Sequence, residues 1–513
     1  MDQLESFARS TEGVIGITVA VALAAGVIYH RANKIDYGVP QVPTSGFFGS
    51  SSEYRRDPHA FTAKWGKKLG PVYGAKIFGQ HATIVSGPAV REVFQNDGFC
   101  IHSGLERTFN MNLLTNNIPV DILPYSFIAN TIRQYISANL DKYTLRLVEH
   151  VEFGFSEIYG QVSDEGITLP GVFPLVQQAI ARANASVFVG VELAKNEQLI
   201  DSFKNMVLQM GAEFKPIPWL EPFPTVMHIR SYLFGKTSSV VRRHRAQLAD
   251  ALRPEVYRRL EAMKSNDSNW ERPNDALQDV LENSLPPANI DLINYLVSWV
   301  TILVFSSMFT TAETAAVAIY RLVQFPEMAE ELYQEQVEVL EAAGFDASAG
   351  PEVFTEDMVK KLVKLESVIR ETGRAGPRCV RLPHTNITNE TIVLSCGACI
   401  PPGENCFINV YANHNDPDLQ RSIDDLSEFK PFRFVGLETN SAVMASDSFL
   451  VFGLGKHSCP GRWYAVHQMK IMLSILLHKF KLSSPDKITF VNKERMPLPL
   501  SPCRIQLTPR KGD

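Results

Sequence analysis

Apolar and polar positions follow three different patterns along the chain. Between Glu12 and Arg31, the stretch 13–30 carries no Asp, Glu, Lys or Arg, and its heart, Val14 to Tyr29, is almost wholly apolar. A membrane-spanning helix needs about 17–25 such residues, so this segment is short but sufficient. Short apolar runs at 72–77 and 82–86 predict strands at the start of the body. From about Ser126 the period turns helical, and helices are expected over 196–214, 230–264, 291–324, 328–343 and 356–374. Strand signals return at 391–396, 405–410 and 504–508. No repeat is visible and no linker divides the body, so one large, mostly α fold with minor β is expected.

Window 291–324 is apolar on nearly every face, which suits a membrane or the centre of a large core. Glu313 and Arg321 intrude, so a central buried helix is the expectation. Ser306, Ser307, Thr310 and Thr311 make a polar notch in it, and their hydroxyls either bond back to helix carbonyls or serve a purpose.

Flanking charge refines the ends. Asp2, Glu5 and Glu12 outweigh Arg9 before the apolar stretch, whereas Arg31 and Lys34 follow it. A cleaved leader needs a basic start, and the positive-inside rule then places the bulk of the chain in the cytoplasm. The expected organisation is a lumenal 1–12, a transmembrane anchor 13–30, a proline-containing hinge 31–46 with Pro40 and Pro43, and a catalytic body 47–513.

Composition narrows the function classes. With 50 Lys+Arg against 55 Asp+Glu the net charge is −5, so no basic field exists to grip nucleic acid. Thirty Phe residues point to a large apolar interior. Seven scattered cysteines suit reduced thiols better than a disulfide framework. Cys396-Gly-Ala-Cys399 has no second such pair to complete a zinc site and is expected to lie in a hairpin.

The chemistry concentrates in Phe449-Leu-Val-Phe-Gly-Leu-Gly-Lys-His-Ser-Cys-Pro-Gly-Arg462. Gly453 and Gly455 permit backbone turns closed to other residues. Cys459 stands at the entry of a helical run, where backbone N–H groups and the helix dipole lower a thiol pKa. Such a thiolate suits a nucleophile, a zinc ligand or a haem ligand.

Phe452, Gly455, His457, Cys459 and Gly461 match F-x-x-G-x-[HR]-x-C-x-G, and the chain here resembles the cytochrome P450 family, in the style of its fungal microsomal members. Three further segments resemble family features in the family's order. Glu371 and Arg374 stand as E-x-x-R, Phe429-Lys-Pro-Phe-Arg-Phe434 carries Arg433, and window 291–324 looks like the oxygen-binding helix with Thr310 at the family's threonine. The resemblance covers about residues 40–510.

That resemblance implies the cytochrome P450 fold in one large domain behind its anchor, and haem b with Cys459 as the iron ligand. A Glu371/Arg374/Arg433 cluster would brace the haem loop. Arg378 or Arg381, with His457 and, more weakly, Arg133, would meet the haem propionates. Lys456, Arg462 and Lys470 are candidates to dock an NADPH–cytochrome P450 reductase. The implied activity is insertion of oxygen from O2 into a large apolar substrate, terpenoid, steroid or fatty-acyl, in secondary metabolism at the endoplasmic reticulum membrane. The proline-rich 216–224, with Trp219, Leu220 and Phe223, would lid the substrate channel and can touch membrane.

Phe309 departs from the pattern, because the family often places an acid before the threonine, and an apolar ring relays no protons. Glu313 is the nearest substitute, and Ser307 replaces a small residue at the family's helix distortion. These departures keep two rivals open: a reductase-independent isomerase, dehydratase or peroxygenase, and a non-catalytic haem-binding protein.

Overall fold

The computed structural model describes residues 36–44, 49–77, 79–109, 118, 121–213, 217, 220, 223–265, 269–346, 348–376, 379–437, 441–488, 490 and 503–510. The expected anchor 13–30 lies outside the described residues, as do Arg378 and Trp219.

Helices dominate and build one large apolar core. Five of them carry the argument: α1 (Leu140–Tyr159), α2 (Phe173–Phe188), α3 (Leu292–Gln324), α4 (Val363–Arg374) and α5 (Arg462–Lys479). Helix α3 runs unbroken for 33 residues through the centre, against α2, α4, α5 and the helix Glu197–Glu213. Asp291 caps it by accepting the Asn294 N–H at 2.7 Å. It ends at Phe325, which Pro326 holds out of the helical region. Among the described residues it is the one helix long and apolar enough to cross a membrane, and it is mostly buried within the protein. It is thus the expected core helix.

A five-stranded sheet stands beside the helices. Its strands are β1 (Val72–Ile77), β2 (Gln80–Val85), β3 (Phe99–Cys100), β4 (Val380–Asn386) and β5 (Asn405–Asn409), in the order β1-β2-β5-β4-β3. Only the β2–β5 pair is parallel. Alternate side chains feed two apolar clusters, with Ala82, Ile84 and Phe407 on one side and Val85, Cys406 and Ile408 on the other.

Several expectations are corrected. Window 230–264 is two helices, Pro224–Thr237 and Ser239–Lys264, because Ser238 leaves helical geometry and caps the second by accepting the Val241 N–H. Window 356–374 also splits, at Leu362, where the buried Glu335 carboxylate caps α4 by accepting the N–H groups of Lys364 and Leu365. Strand β4 was not anticipated: Pro383 and a β-bulge between Arg381 and His384 interrupt its alternation, and Leu382 takes φ +50° there. The described part of the expected hinge lies against the body. Gly74 N–H donates to Pro40 O, Val42 N–H to Gly74 O and Cys399 N–H to Tyr37 O, so residues 37–42 are bound to the body. The Cys396/Cys399 pair does lie in a hairpin, with Gly397 at φ +86° and Cys399 paired to Val393. All seven cysteines are free thiols.

Candidate functional site

Cys459 sits between a short turn, Gly455–His457, and the first residue of α5. Gly453 and Gly455 have φ of +70° and +60°, the left-handed region where a side chain is strained. That turn folds the chain back so that Cys459 N–H donates to Phe452 O at 2.7 Å, closing the loop on itself. Phe452 packs against the large core. Gly461 is the N-cap residue of α5 and has an ordinary negative φ.

The thiol differs from its expected electrostatics. Burial pushes the Cys459 pKa up, while the N–H groups of Gly461 and Arg462 and the charges of Arg462 and Arg133 pull it down. In the protein alone burial wins. A bound cation at the sulfur would reverse that balance, since a coordinating thiol is deprotonated outright.

The charged brace is assembled from three separate segments. Arg374 Nε and Nη2 grip the two Glu371 carboxylate oxygens at 2.7 and 2.9 Å, and Arg433 Nε lies 3.0 Å from Glu371 Oε1. All three side chains are buried. The remaining guanidinium hydrogens go to backbone carbonyls, Arg374 to His414, Leu426 and Glu428 and Arg433 to Asp424, Asp425 and Glu428. A bidentate pair satisfied this fully is the form in which buried charge is tolerated.

Helix α3 presents a distinct middle. Ser306 and Thr310 are exposed, and Phe309, Glu313 and Thr314 are half-buried, while residues on either side are buried. The hydroxyls bond back to the helix: Ser306 to Ile302 O at 2.9 Å, Ser307 to Leu303 O at 2.7 Å and Thr310 to Ser306 O at 3.0 Å. Three of the four notch hydroxyls are therefore bonded within the helix, those of Ser306 and Thr310 on accessible residues, while Thr311 is buried. Phe309 meets Phe173 edge-on, ring centroids 5.9 Å apart.

A cluster of rings gathers beside the cysteine loop. His457 Nε2 donates to Phe99 O at 3.2 Å. Its ring lies 5.7 Å from His102 and 5.6 Å from His384, and His102 stacks on Tyr125. Burial depresses the pKa of His102 to about 3 and of His384 to about 4, and lowers that of His457. His384 Nδ1 donates to Leu382 O at 2.7 Å, while its buried Nε2 finds no partner among the described residues. Arg133 is exposed and near enough for its charge to act on Cys459. Arg381 is half-buried in β4.

His102, Tyr125 and His384 were missed in the sequence because each lies far along the chain from Cys459. The one local hint was Pro383, which marks a break in a strand and so a re-aimed side chain. Of the three basic residues expected on a docking face, Lys470 is excluded. It is buried, 3.0 Å from Glu366, and donates to Lys360 O. Arg462 is half-buried and bonded to Val443 O and Cys459 O, which leaves Lys456, paired with Asp97, as the exposed one.

Comparisons with known proteins fit this arrangement. The family model for cytochrome P450 matches residues 40–508. The chain is 25% identical over 429 residues to cytochrome P450 monooxygenase 151 of Postia placenta, covering 81% of each. It is 25% identical over 370 residues to the ent-kaurene oxidase of Gibberella intermedia, covering 69% of this chain and 64% of that one. In fold it is similar to a retinoic acid bound cyanobacterial CYP120A1, with a TM-score of 0.62 and 20% identity over 92% of this chain and 99% of that one. A family match across the whole described body, on a mostly helical fold with its cysteine loop, makes this chain a member of the cytochrome P450 family, a haem-thiolate iron monooxygenase.

Proposed function

We propose that Cys459 is the haem-iron ligand of a membrane-anchored monooxygenase acting on a large apolar substrate. The observation that carries this reading is the position of the Cys459 sulfur, at the start of α5 with the N–H groups of Gly461 and Arg462 acting on it. Haem b fits the residues present in a second respect. The orphaned Nε2 of His384, beside His457, is a ready partner for a haem carboxylate. Because Nδ1 donates to Leu382 O, Nε2 can donate to that carboxylate only if the ring is protonated, and the carboxylate's charge would then have to raise the pKa that burial holds at about 4 in the protein alone. When bound, the haem supplies the oxygen-activating chemistry, and thiolate ligation favours O–O cleavage.

The chain's own residues then hold, orient and exclude. Glu371, Arg374 and Arg433 fix the segment that precedes the cysteine loop. Thr310, with Ser306 one turn earlier, offers hydroxyls on the accessible face of α3, and Glu313 stands three residues further along the same helix. Phe309, packed on Phe173, supplies apolar surface where an acid is common, so proton delivery falls to Thr310 and water. Electrons would come from an NADPH-dependent reductase, with Lys456 and the exposed Trp463 on the surface near the cysteine loop.

An apolar substrate in secondary metabolism, of terpenoid, steroid or fatty-acyl type, is supported by the ent-kaurene oxidase among the relatives and by the retinoic acid in the solved neighbour. Attachment to the endoplasmic reticulum membrane is supported by the apolar stretch 13–30. It is also supported by the exposed Val226, Ile229, Tyr232 and Leu233 of helix Pro224–Thr237, a surface apolar enough to rest on lipid.

The test is the carbon monoxide difference spectrum of the reduced protein. Cys459→Ala is expected to remove the thiolate signature, and Cys396→Ala and Cys399→Ala to keep it. Survival of the signature in Cys459→Ala would show another ligand.

A further inference from the structure

Asn184 is fully buried on α2 where that helix packs against α3, and its side chain also reaches α5 through hydrogen bonds to Tyr464 and Gln468. Its side-chain nitrogen donates to Ser307 Oγ at 3.1 Å and contacts Met308 Sδ at 3.4 Å. Its side-chain oxygen accepts from Tyr464 Oη at 2.9 Å and from Gln468 Nε2 at 3.1 Å. One amide thus uses both hydrogens and both lone pairs inside an apolar core. The Ser307 hydroxyl is already committed to Leu303 O at 2.7 Å, so it can only accept from Asn184.

The ends of this network carry the site. Ser307 is three residues before Thr310 on α3. Tyr464 is five residues after Cys459, on the first turn of α5. The residues that flank Asn184 on the same face of α2, Ile180, Ala181, Val187 and Phe188, are apolar and buried. Apolar contacts of that kind set distance but tolerate sliding, whereas a hydrogen-bond network satisfied at every atom admits one register. The same partners would be orphaned by any shift of α3 along its axis relative to α5.

We propose that Asn184 is a positioning residue that fixes where Thr310 stands relative to Cys459, by tying Ser307 on α3 to Tyr464 and Gln468 on α5. This rests on the reading of Cys459 as the haem ligand and of Thr310 as facing the oxygen side. The residue reaches the site only through its partners, so its removal alters the site's geometry without removing any group from it.

The experiment uses the haem-loaded protein, reduced with dithionite under carbon monoxide, which requires neither substrate nor reductase. The visible band of that complex reports the thiolate ligand. The infrared C–O stretch reports the groups on the opposite side. Asn184→Leu and Tyr464→Phe are expected to keep the thiolate band and to shift or broaden the C–O stretch. Combining Asn184→Leu with Ser307→Ala is expected to add no further shift beyond the larger single one. Thr144→Val serves as the comparison, because it removes another buried polar contact to α5, the Thr144–His467 bond of 3.0 Å. It should lower the thermal midpoint and leave the C–O stretch in place. The proposal is overturned if Asn184→Leu and Tyr464→Phe keep the parent's C–O stretch, or if Thr144→Val moves it as far. Should Asn184→Leu fail to fold, Tyr464→Phe, which removes a single oxygen, decides alone. A parent protein without the thiolate band overturns the Cys459 reading, and this proposal with it, before any variant is compared.

Discussion

His414 accepts the backbone N–H of Leu450 on its Nε2 at 2.8 Å, a bond that connects the buried charge cluster to the cysteine loop. The other ring nitrogen, Nδ1, lies 3.1 Å from the carbonyl oxygen of Arg374. A carbonyl can only accept and an N–H can only donate, so the ring is held as the neutral Nδ1–H tautomer. It also stacks on Phe449, at 5.6 Å between centroids. A change at Glu371 or Arg374 is thereby felt nine residues before Cys459.

His414→Phe keeps the stacking and orphans the Leu450 N–H. A buried donor left unmade costs about 1–3 kcal/mol. Thermal unfolding is expected to show that loss, and the carbon monoxide spectrum a smaller fraction of protein with the thiolate signature. An unchanged fraction would mean that the loop is held elsewhere.

Glu371→Gln removes the only carboxylate that Arg374 and Arg433 share among the described residues. Breaking a buried ion pair from one side costs about 3–5 kcal/mol, so little soluble haem-loaded protein is expected. Lys364→Ala, on the same helix as Glu371 and in a solvent-accessible pair with Glu331 of the helix Pro326–Ala342, should cost less than about 1 kcal/mol. Equal yields of the two variants would refute the bracing role.

Thr310→Ala is expected to keep haem and substrate binding while diverting electrons to hydrogen peroxide. General acid assistance is worth typically ~10²–10⁴ in rate, and Phe309 supplies none of it. Product per NADPH is the measurement. Coupling as good as the parent's would move the proton route to Glu313 or the substrate. Phe309→Asp is expected to weaken apolar substrate binding more than it helps proton transfer.

Acid should destabilise the protein before its carboxylates titrate. His467 is buried, donates to Thr144 Oγ1, and has its pKa pushed down to about 3 by burial and by the charges of Lys470 and Lys360. A folded pKa below the unfolded value means that the unfolded chain binds the extra proton. Stability is therefore full above the unfolded value of about 6.5 and falls as pH drops toward 3, by at most about 1.4 kcal/mol per unit for one histidine. Urea midpoints between pH 7 and pH 5 should show that slope, and His467→Gln should flatten it. A slope unchanged in the variant would assign the effect to other histidines.

Deletion of residues 1–34 is expected to release much of the protein from membranes with haem binding intact, since the described body begins its contacts at residue 37. Residual attachment should then disappear in Ile229→Asp with Leu233→Asp. A deleted form unable to take up haem would place the N-terminus inside the fold.

The sequence alone was enough for the cysteine loop, because Gly453, Gly455 and Cys459 act through local backbone geometry within a few residues. It was also enough for α3, whose length and apolar character on nearly every face mark a core helix. Helix ends went wrong where the signal was not local: the break at Leu362 depends on Glu335, a carboxylate on another helix. Lys470 shows the same limit, since a lysine near the cysteine in sequence gives no sign of the buried Glu366 that holds it. His384, His414 and Asn184 were beyond sequence pattern altogether. Each acts by hydrogen bonds to residues between 36 and 284 positions away, or by a single unpartnered nitrogen, and only tertiary packing brings such atoms within hydrogen-bonding distance of one another.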